Sequence, residues 1–429
     1  MKISLIFLLP ATLLSETPAD LDFALTARTD RADALYQVGE TASFAIEATQ
    51  HGKPLQKGSV VCVLSKDGVQ QQPAQKLELQ DGRATITGTL ADPGFLQLRV
   101  TLNTTTTIAA AGYDPLKIKP SLPIPEDFDA FWAAQKAALA AVPMKIIQQP
   151  VKAPRPGMEA FDVQVDCVGV PVSGYFGRPL KARPKSLPAI LYLHGSRVEG
   201  ARLESTGWAT LHGGMLAFDI NGHGIPNGKP AAYYEELSAG TLKDYRYAGR
   251  GNRDECYFKH MFLRLIRAID FLAGQPEWDG KTLIVFGASM GGFQGIAAAG
   301  LDERVSFLCA GMPAGCDHTG VVVGRVNGWP KLVPTGADLK PDAAVLQTSR
   351  YFDCVNFASR AKCRGAAFNV GFVDVTCPPT GVYAAYNVLN MPKAMFTEVL
   401  SSHVGSAEAT LFRQKAVMQH IQEMQAAAK

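Results

Sequence analysis

Two architectures in series are predicted from this chain: a small all-β sandwich, then a mostly parallel α/β sheet covered by helices on both faces. Three observations carry the prediction. Residues 20–110 alternate short apolar–polar runs with turn dipeptides. A stretch with four prolines follows at 113–125. Beyond it, apolar strand-like runs alternate with segments of helical spacing, the pattern of a parallel sheet with crossover helices. With 429 residues and 47% apolar side chains, the chain can fill more than one core.

The elements follow in order. Lys2 precedes an apolar run at 3–14. A membrane-spanning helix needs about 20 residues, so residues 1–19 read as a signal peptide and the protein is expected to be exported, periplasmic or extracellular, with no membrane span. In the sandwich, assigned to residues 20–112, the runs 42–48, 59–64, 84–88 and 95–102 read as strands, with turns at Asp67-Gly68, Asp81-Gly82 and Pro93-Gly94. The spacing suggests an immunoglobulin-like sandwich. It carries no clear aromatic stripe, so a packing or spacer module is favoured over a carbohydrate-binding one. Residues 113–125 read as a stiff linker, and 126–429 as the α/β domain. A helix should begin near Glu126, with Phe128, Phe131 and Trp132 on one face. Runs at 161–168 and 172–177 suggest an antiparallel opening pair. Six presumed parallel strands follow at 189–193, 215–220, 283–286, 306–310, 366–370 and 394–400, and 258–272 has the apolar spacing of a helix.

Charge narrows the partners. Basic and acidic side chains number 42 and 39, a net +3 with no basic run, which argues against nucleic acid. A near-neutral surface suits an uncharged polymer or a small ester. Of the eight cysteines, Cys62, Cys167 and Cys309 lie in apolar runs and read as small hydrophobes. Cys316, Cys354, Cys363 and Cys377 lie nearer loops, and any of them could form a bridge in an exported protein. No Cys/His spacing suggests zinc, and neither metal nor cofactor is expected.

The segment that carries chemistry is Gly287-Ala-Ser289-Met-Gly291, preceded by an apolar strand and followed by a small-residue helix. Such a strand–turn–helix presents a serine hydroxyl at the top of the sheet, and its glycines permit the close approach of strand and helix. A serine needs a base to take its proton. Of the eight histidines, His403 directly follows the last strand. A carboxylate should follow the preceding strand, and Asp374 does so, ahead of Asp317 and Asp353. The order Ser289, Asp374, His403 and the strand layout are those of an α/β-hydrolase. The backbone N–H groups of Met290 and Ser196 are the candidate oxyanion donors, and His194 reads as a brace for the loop. Long loops at 221–250 and 317–349 should wall a pocket, with His223, His318, Trp329, Tyr233 and Tyr234 as candidate substrate contacts.

Together these residues resemble the acetyl xylan esterase / cephalosporin C deacetylase family of carbohydrate esterases. The resemblance runs from about Pro125 to the end. It rests on Pro125-Glu-Asp-Phe-Asp-Ala-Phe-Trp132, the Ser289 elbow, Tyr351-Phe-Asp-Cys-Val-Asn-Phe-Ala358, and Asp374-Val-Thr-Cys-Pro-Pro379 with Tyr383-Ala-Ala-Tyr386. It implies removal of acetyl groups from xylo-oligosaccharides and small esters, by Ser289, Asp374 and His403 and without a metal. Three positions depart from the family: Met290 stands where Gln is usual, Asn221-Gly222-His223 replaces Arg-Gly-Gln, and Val404 replaces Glu after the histidine. They bear on pocket shape and substrate preference. The family's ring-like assembly is not carried over, and an oligomer stays open. Two rivals stand beside this reading: a hydrolase of another acyl ester or a peptidase, and a non-catalytic glycan-binding protein on the same scaffold.

Overall fold

The computed structural model describes residues 23–211, 213–336 and 340–427; the amino-terminal apolar run lies outside them. From Phe23 to Tyr113 the chain forms two mainly antiparallel sheets around their own core. One holds Phe23–Thr29, Ala42–Gln50, Lys53–Pro54 and Arg83–Gly88; the other is built around Ser59–Lys66, Gly94–Leu102 and Thr105–Tyr113. Alternation sets the faces: Phe44, Ile46 and Ala48 point inward beside Val60, Leu64, Leu98 and Val100. At Asp81-Gly82 both residues have positive φ, 49° and 73°, as a tight hairpin turn requires. Tyr36, Phe44, Phe95 and Tyr113 are at most 3% exposed, so none of them forms an outward platform.

This region is fastened to the rest of the chain. Phe95 is fully buried among the core residues of the large domain, 5.0 Å from the Phe372 ring and 5.8 Å from that of Tyr383. Asp67, 2% exposed, accepts the Phe95 N–H at 2.9 Å and the Thr380 hydroxyl. The proline-rich segment 113–125 is likewise held, and does not act as a free spacer. Ser121 donates to Asp317, Arg350 to the Pro123 carbonyl, and Asn387 to the carbonyls of Pro115 and Ile118. Truncating Phe95 to alanine should therefore destabilise the whole chain by about 3–5 kcal/mol in chemical denaturation.

Asp67 gives a pH test of the same junction. Burial raises its pKa, partly offset by the Thr380 hydroxyl. A carboxyl whose folded pKa exceeds its unfolded value stabilises below the unfolded value, and that stabilisation is lost as pH rises through the folded one. Asp67→Asn should gain stability relative to wild type as pH rises from 4 towards 8, read as melting temperature against pH.

The large sheet has nine strands, in spatial order Ile146–Val151, Met158–Val165, Val172–Pro179, Leu216–Ile220, Leu187–Leu193, Trp278–Ala288, Phe307–Gly311, Gly365–Gly371 and Lys393–Glu398. The first three pair antiparallel, and the last six are mutually parallel. All six expected parallel strands are present. The edge strand Ile146–Val151 was not expected, because its residues are nearly all exposed and show no alternation. Helix Tyr257–Ala273 and the elbow helix Met290–Leu301 cover one face; Ala407–Ala426 covers the other with Val417 and Ile421. All eight cysteines are buried free thiols, so the bridges considered for Cys316, Cys354, Cys363 and Cys377 do not form here. The loop positions that suggested pairing are packed interior.

Candidate active site

The elbow is built from backbone constraints. Ser289 sits at φ 56°, ψ −123° between strand and helix, its N–H donating to Gly311 O at 2.9 Å. A β-carbon at Gly287 would lie 2.5 Å from the carbonyl of Gly291, and one at Gly291 would lie 2.2 Å from Leu193 O. No side chain fits at either position, so the strand can turn tightly enough to lift the serine clear of the sheet.

Three distant loops meet there. Ser289 Oγ lies 2.9 Å from His403 Nε2, and His403 Nδ1 lies 2.7 Å from Asp374 Oδ2. Asp374 is fully buried, and its Oδ1 accepts the N–H groups of Thr376 and Cys377, both at 2.8 Å. Those bonds fix the carboxylate so that its other oxygen faces the imidazole. The His403 side chain keeps 26% of its surface, enough to reach solvent. Such a row can take a proton from the hydroxyl and stabilise the imidazolium that results.

The two rival carboxylates serve the scaffold. Asp317 pairs with Arg325 at 2.8 Å. Asp353 accepts the N–H groups of Asp317, His318 and Val355, and burial followed by the Asp317 charge holds its pKa well above the usual range.

The strand Leu187–Leu193 ends against the elbow, where Gln294 donates to His194 O at 3.1 Å. His194 is buried and pairs with Asp219, the bracing role expected for it. Neither Ser196 N–H nor Met290 N–H donates to a backbone or side-chain acceptor among the described residues, so both are free for a developing oxyanion. Tyr245 joins them: its hydroxyl donates to Ser196 O at 2.8 Å and lies 3.3 Å from Met290 Sδ. The sequence marked only the loop that holds Tyr245, because one tyrosine among several has no local signature. Removing this hydroxyl in Tyr245→Phe should lower kcat/KM for an acetyl ester about threefold to tenfold, with KM little changed.

The expected substrate contacts divide. Trp329 borders a cleft of about 650 Å³ with Ser196, Tyr234 and Tyr245. Tyr233 is not part of that lining; its ring packs edge-on against Tyr234. His223 and His318 do not contact the cleft either. His223 is 3% exposed, uses both ring nitrogens on Tyr257 and Arg197, and is driven to a pKa of about 4 by burial. His318 lies against Phe293 with its pKa lowered to about 3 by burial. Both follow strand ends, but the chain turns them into the core.

Cys377 is a neighbour the expected site lacked. Its thiol lies within 4.8 Å of the Asp374 carboxylate and the His403 ring, and burial, then the Asp374 charge, holds its pKa well above the usual range, so it stays neutral. Asp374, Cys377 and His403 offer oxygen, sulfur and nitrogen donors within 4.8 Å of one another, a set a soft cation could use. The carboxylate and imidazole are already bonded to each other. Beside them, Pro313, Cys316, Trp329 and Cys377 pack together and leave no room for a water molecule.

Comparison with known proteins places this arrangement. The family model described as "Acetyl xylan esterase (AXE1)" matches residues 114–423. The chain is 30% identical over 411 residues to the acetyl esterase Axe7A of Xylanibacter ruminicola, covering 93% of this chain and 91% of that one. Among solved structures it is similar to an acetyl xylan esterase from Paenibacillus sp. R4, with 30% identity and a TM-score of 0.59 over 72% of this chain and 98% of the other. Acetyl xylan esterase 1 from Thermoanaerobacterium sp. JW/SL YS485 shares the fold, with 20% identity and a TM-score of 0.55 over 71% and 97%. The sandwich lies outside the family-model match, but because the match to the Xylanibacter protein takes in 93% of this chain, most of the sandwich falls within it. With its parallel sheet, its serine elbow and more than two thirds of its length matched, the chain belongs to the acetyl xylan esterase family and is a carboxylic ester hydrolase of that type.

Proposed function

We propose that this enzyme removes acetyl groups from carbohydrate hydroxyls through an acetyl-enzyme on Ser289. The observation that carries the reading is the contact row Ser289–His403–Asp374, at 2.9 and 2.7 Å, beside two free backbone donors. His403 accepts the hydroxyl proton as Ser289 attacks the acetyl carbonyl, and the N–H groups of Met290 and Ser196 hold the oxyanion. His403 then protonates the departing sugar oxygen, and water, activated by the same imidazole, releases acetate. Asp374 keeps the imidazole in the tautomer whose Nε2 can accept.

Two features support an acetyl group on a sugar. Pro313, Cys316, Trp329 and Cys377 pack without leaving room even for a water molecule, which disfavours a long acyl chain on that side of the site. The wider cleft bordered by Ser196, Tyr234, Tyr245 and Trp329 is open and polar enough for an alcohol such as a sugar. Release of acetate from acetylated xylan, together with a series of chromogenic esters of rising acyl length, tests the assignment. Turnover should fall at least about tenfold from acetate to butyrate, since each buried methylene without space costs 1–3 kcal/mol. Comparable rates on long or aromatic acyl groups would overturn the acetyl preference, and Trp329→Ala should narrow the gap. The Lys2-led apolar run supports export, which fractionation and the mass of the mature amino terminus would test.

A further inference from the structure

A second cleft lies on the other face of the sheet, beneath helix Ala407–Ala426. It has a volume of about 500 Å³, and Ser289, Asp374 and His403 take no part in its lining. Its walls include Arg155, Tyr192, Arg202, Trp208, Phe286 and Arg413. Glu204 is the one acidic residue there, so three guanidinium groups against one carboxylate leave a surplus of positive charge.

Arg413 is the unusual member. It is 6% exposed and lies 5.1 Å over the Phe286 ring. Its Nε and Nη1 have no hydrogen-bond partner, and it pairs with no carboxylate among the described residues. Nη1 lies against Gly311, and the residue lines the cleft. A guanidinium this deep without a counter-charge is costly, and a native structure that retains one calls for an explanation such as a bound ion. Arg202 is engaged with Glu199 at 2.6 Å, whereas Arg155 has no ionic partner among the described residues and stands at the exposed rim. The Tyr192 hydroxyl and the Trp208 indole N–H make no hydrogen bond among the described residues, and both side chains line the same cleft. Burial raises the Tyr192 pKa, which keeps the phenol a donor. Ser205, Thr410 and Gln414, which can donate as well as accept, stand beside these donors, and Phe286 and Leu211 complete the apolar lining.

We propose that this cleft binds a small ligand bearing an oxyanion, with Arg413 at its floor and Arg155 at its rim. The shared chemistry is that of a carboxylate or a phosphate. The carboxylate could come from an acidic sugar, whose ring would lie along the aromatic wall; the phosphate could be the free inorganic ion. The inference does not rest on the acetylesterase reading, because Ser289, Asp374 and His403 take no part in the cleft's lining.

Isothermal titration with D-glucuronate, inorganic phosphate and uncharged D-glucose tests it on the full chain. Wild type should bind at least one of the two anions saturably at or below about 10 mM and should not bind glucose. Tighter binding of glucuronate would assign a sugar-borne carboxylate, and equal or tighter binding of phosphate would assign the free ion. Arg413→Met should weaken binding at least about tenfold while leaving acetyl ester turnover unchanged. Should that variant fail to fold, Arg155→Ala at the exposed rim should still weaken binding several-fold. No saturable anion binding to wild type, glucose binding as tight as glucuronate, or unchanged affinity in the folded arginine variants would overturn the proposal.

Discussion

Ser289→Ala is expected to lower kcat for acetyl ester hydrolysis by roughly 10⁵- to 10⁶-fold while leaving the melting temperature close to wild type. The hydroxyl forms the covalent bond, and no other side chain at the elbow can replace it. Cys377 is the nearest candidate, but burial keeps its thiol neutral and therefore a weak nucleophile. His403→Ala should cost nearly as much, and the double variant little more than either single one, because residues that act as a unit are not additive. Should Ser289→Ala keep more than about a hundredth of the rate, the nucleophile lies elsewhere. Additive losses would mean that the serine and the histidine serve different steps.

A second large loss, about 10⁴-fold in kcat, is expected for Asp374→Asn. The substitution keeps an oxygen for the N–H groups of Thr376 and Cys377, so the loop should hold its shape. The amide nitrogen then faces His403 Nδ1 as a donor. That forces the ring proton onto Nε2, where it opposes the serine hydroxyl instead of accepting from it. Asp353→Asn provides the contrast: its carboxyl holds three backbone N–H groups away from Ser289, so its loss should appear in stability and leave kcat within a few-fold. If the two variants behaved alike, the carboxylate would have been assigned by position only, without the chemistry.

Local features of the chain account for much of the architecture. The turn dipeptides and alternating runs before residue 110 specify paired strands, since each demands a backbone that only a hairpin or a pleated face supplies. The six parallel strands were legible as apolar runs because burial on both faces leaves them no polar side. Gly287 and Gly291 around Ser289 read as an elbow for a steric reason: no β-carbon fits at either position. The edge strand Ile146–Val151 was hidden because an exposed edge needs no hydrophobic pattern.

Contacts across long stretches of chain were beyond that kind of reading. The roles of His223 and His318 depended on whether a loop turns toward the cleft or into the core, and both turn inward. Tyr245 gains its place only because one hydroxyl reaches the loop of Ser196 and the side chain of Met290 together. The sandwich likewise gave no local sign that Phe95 would enter the neighbouring core or that Asp67 would cap Thr380, 313 residues away. By itself the sequence determined which segments become strands and turns and where a reactive serine must stand, because those depend on the backbone and on neighbours a few residues apart. Which loops converge, which polar groups stay open and how the two regions join was decided only in three dimensions, where packing brings distant side chains within a few ångströms.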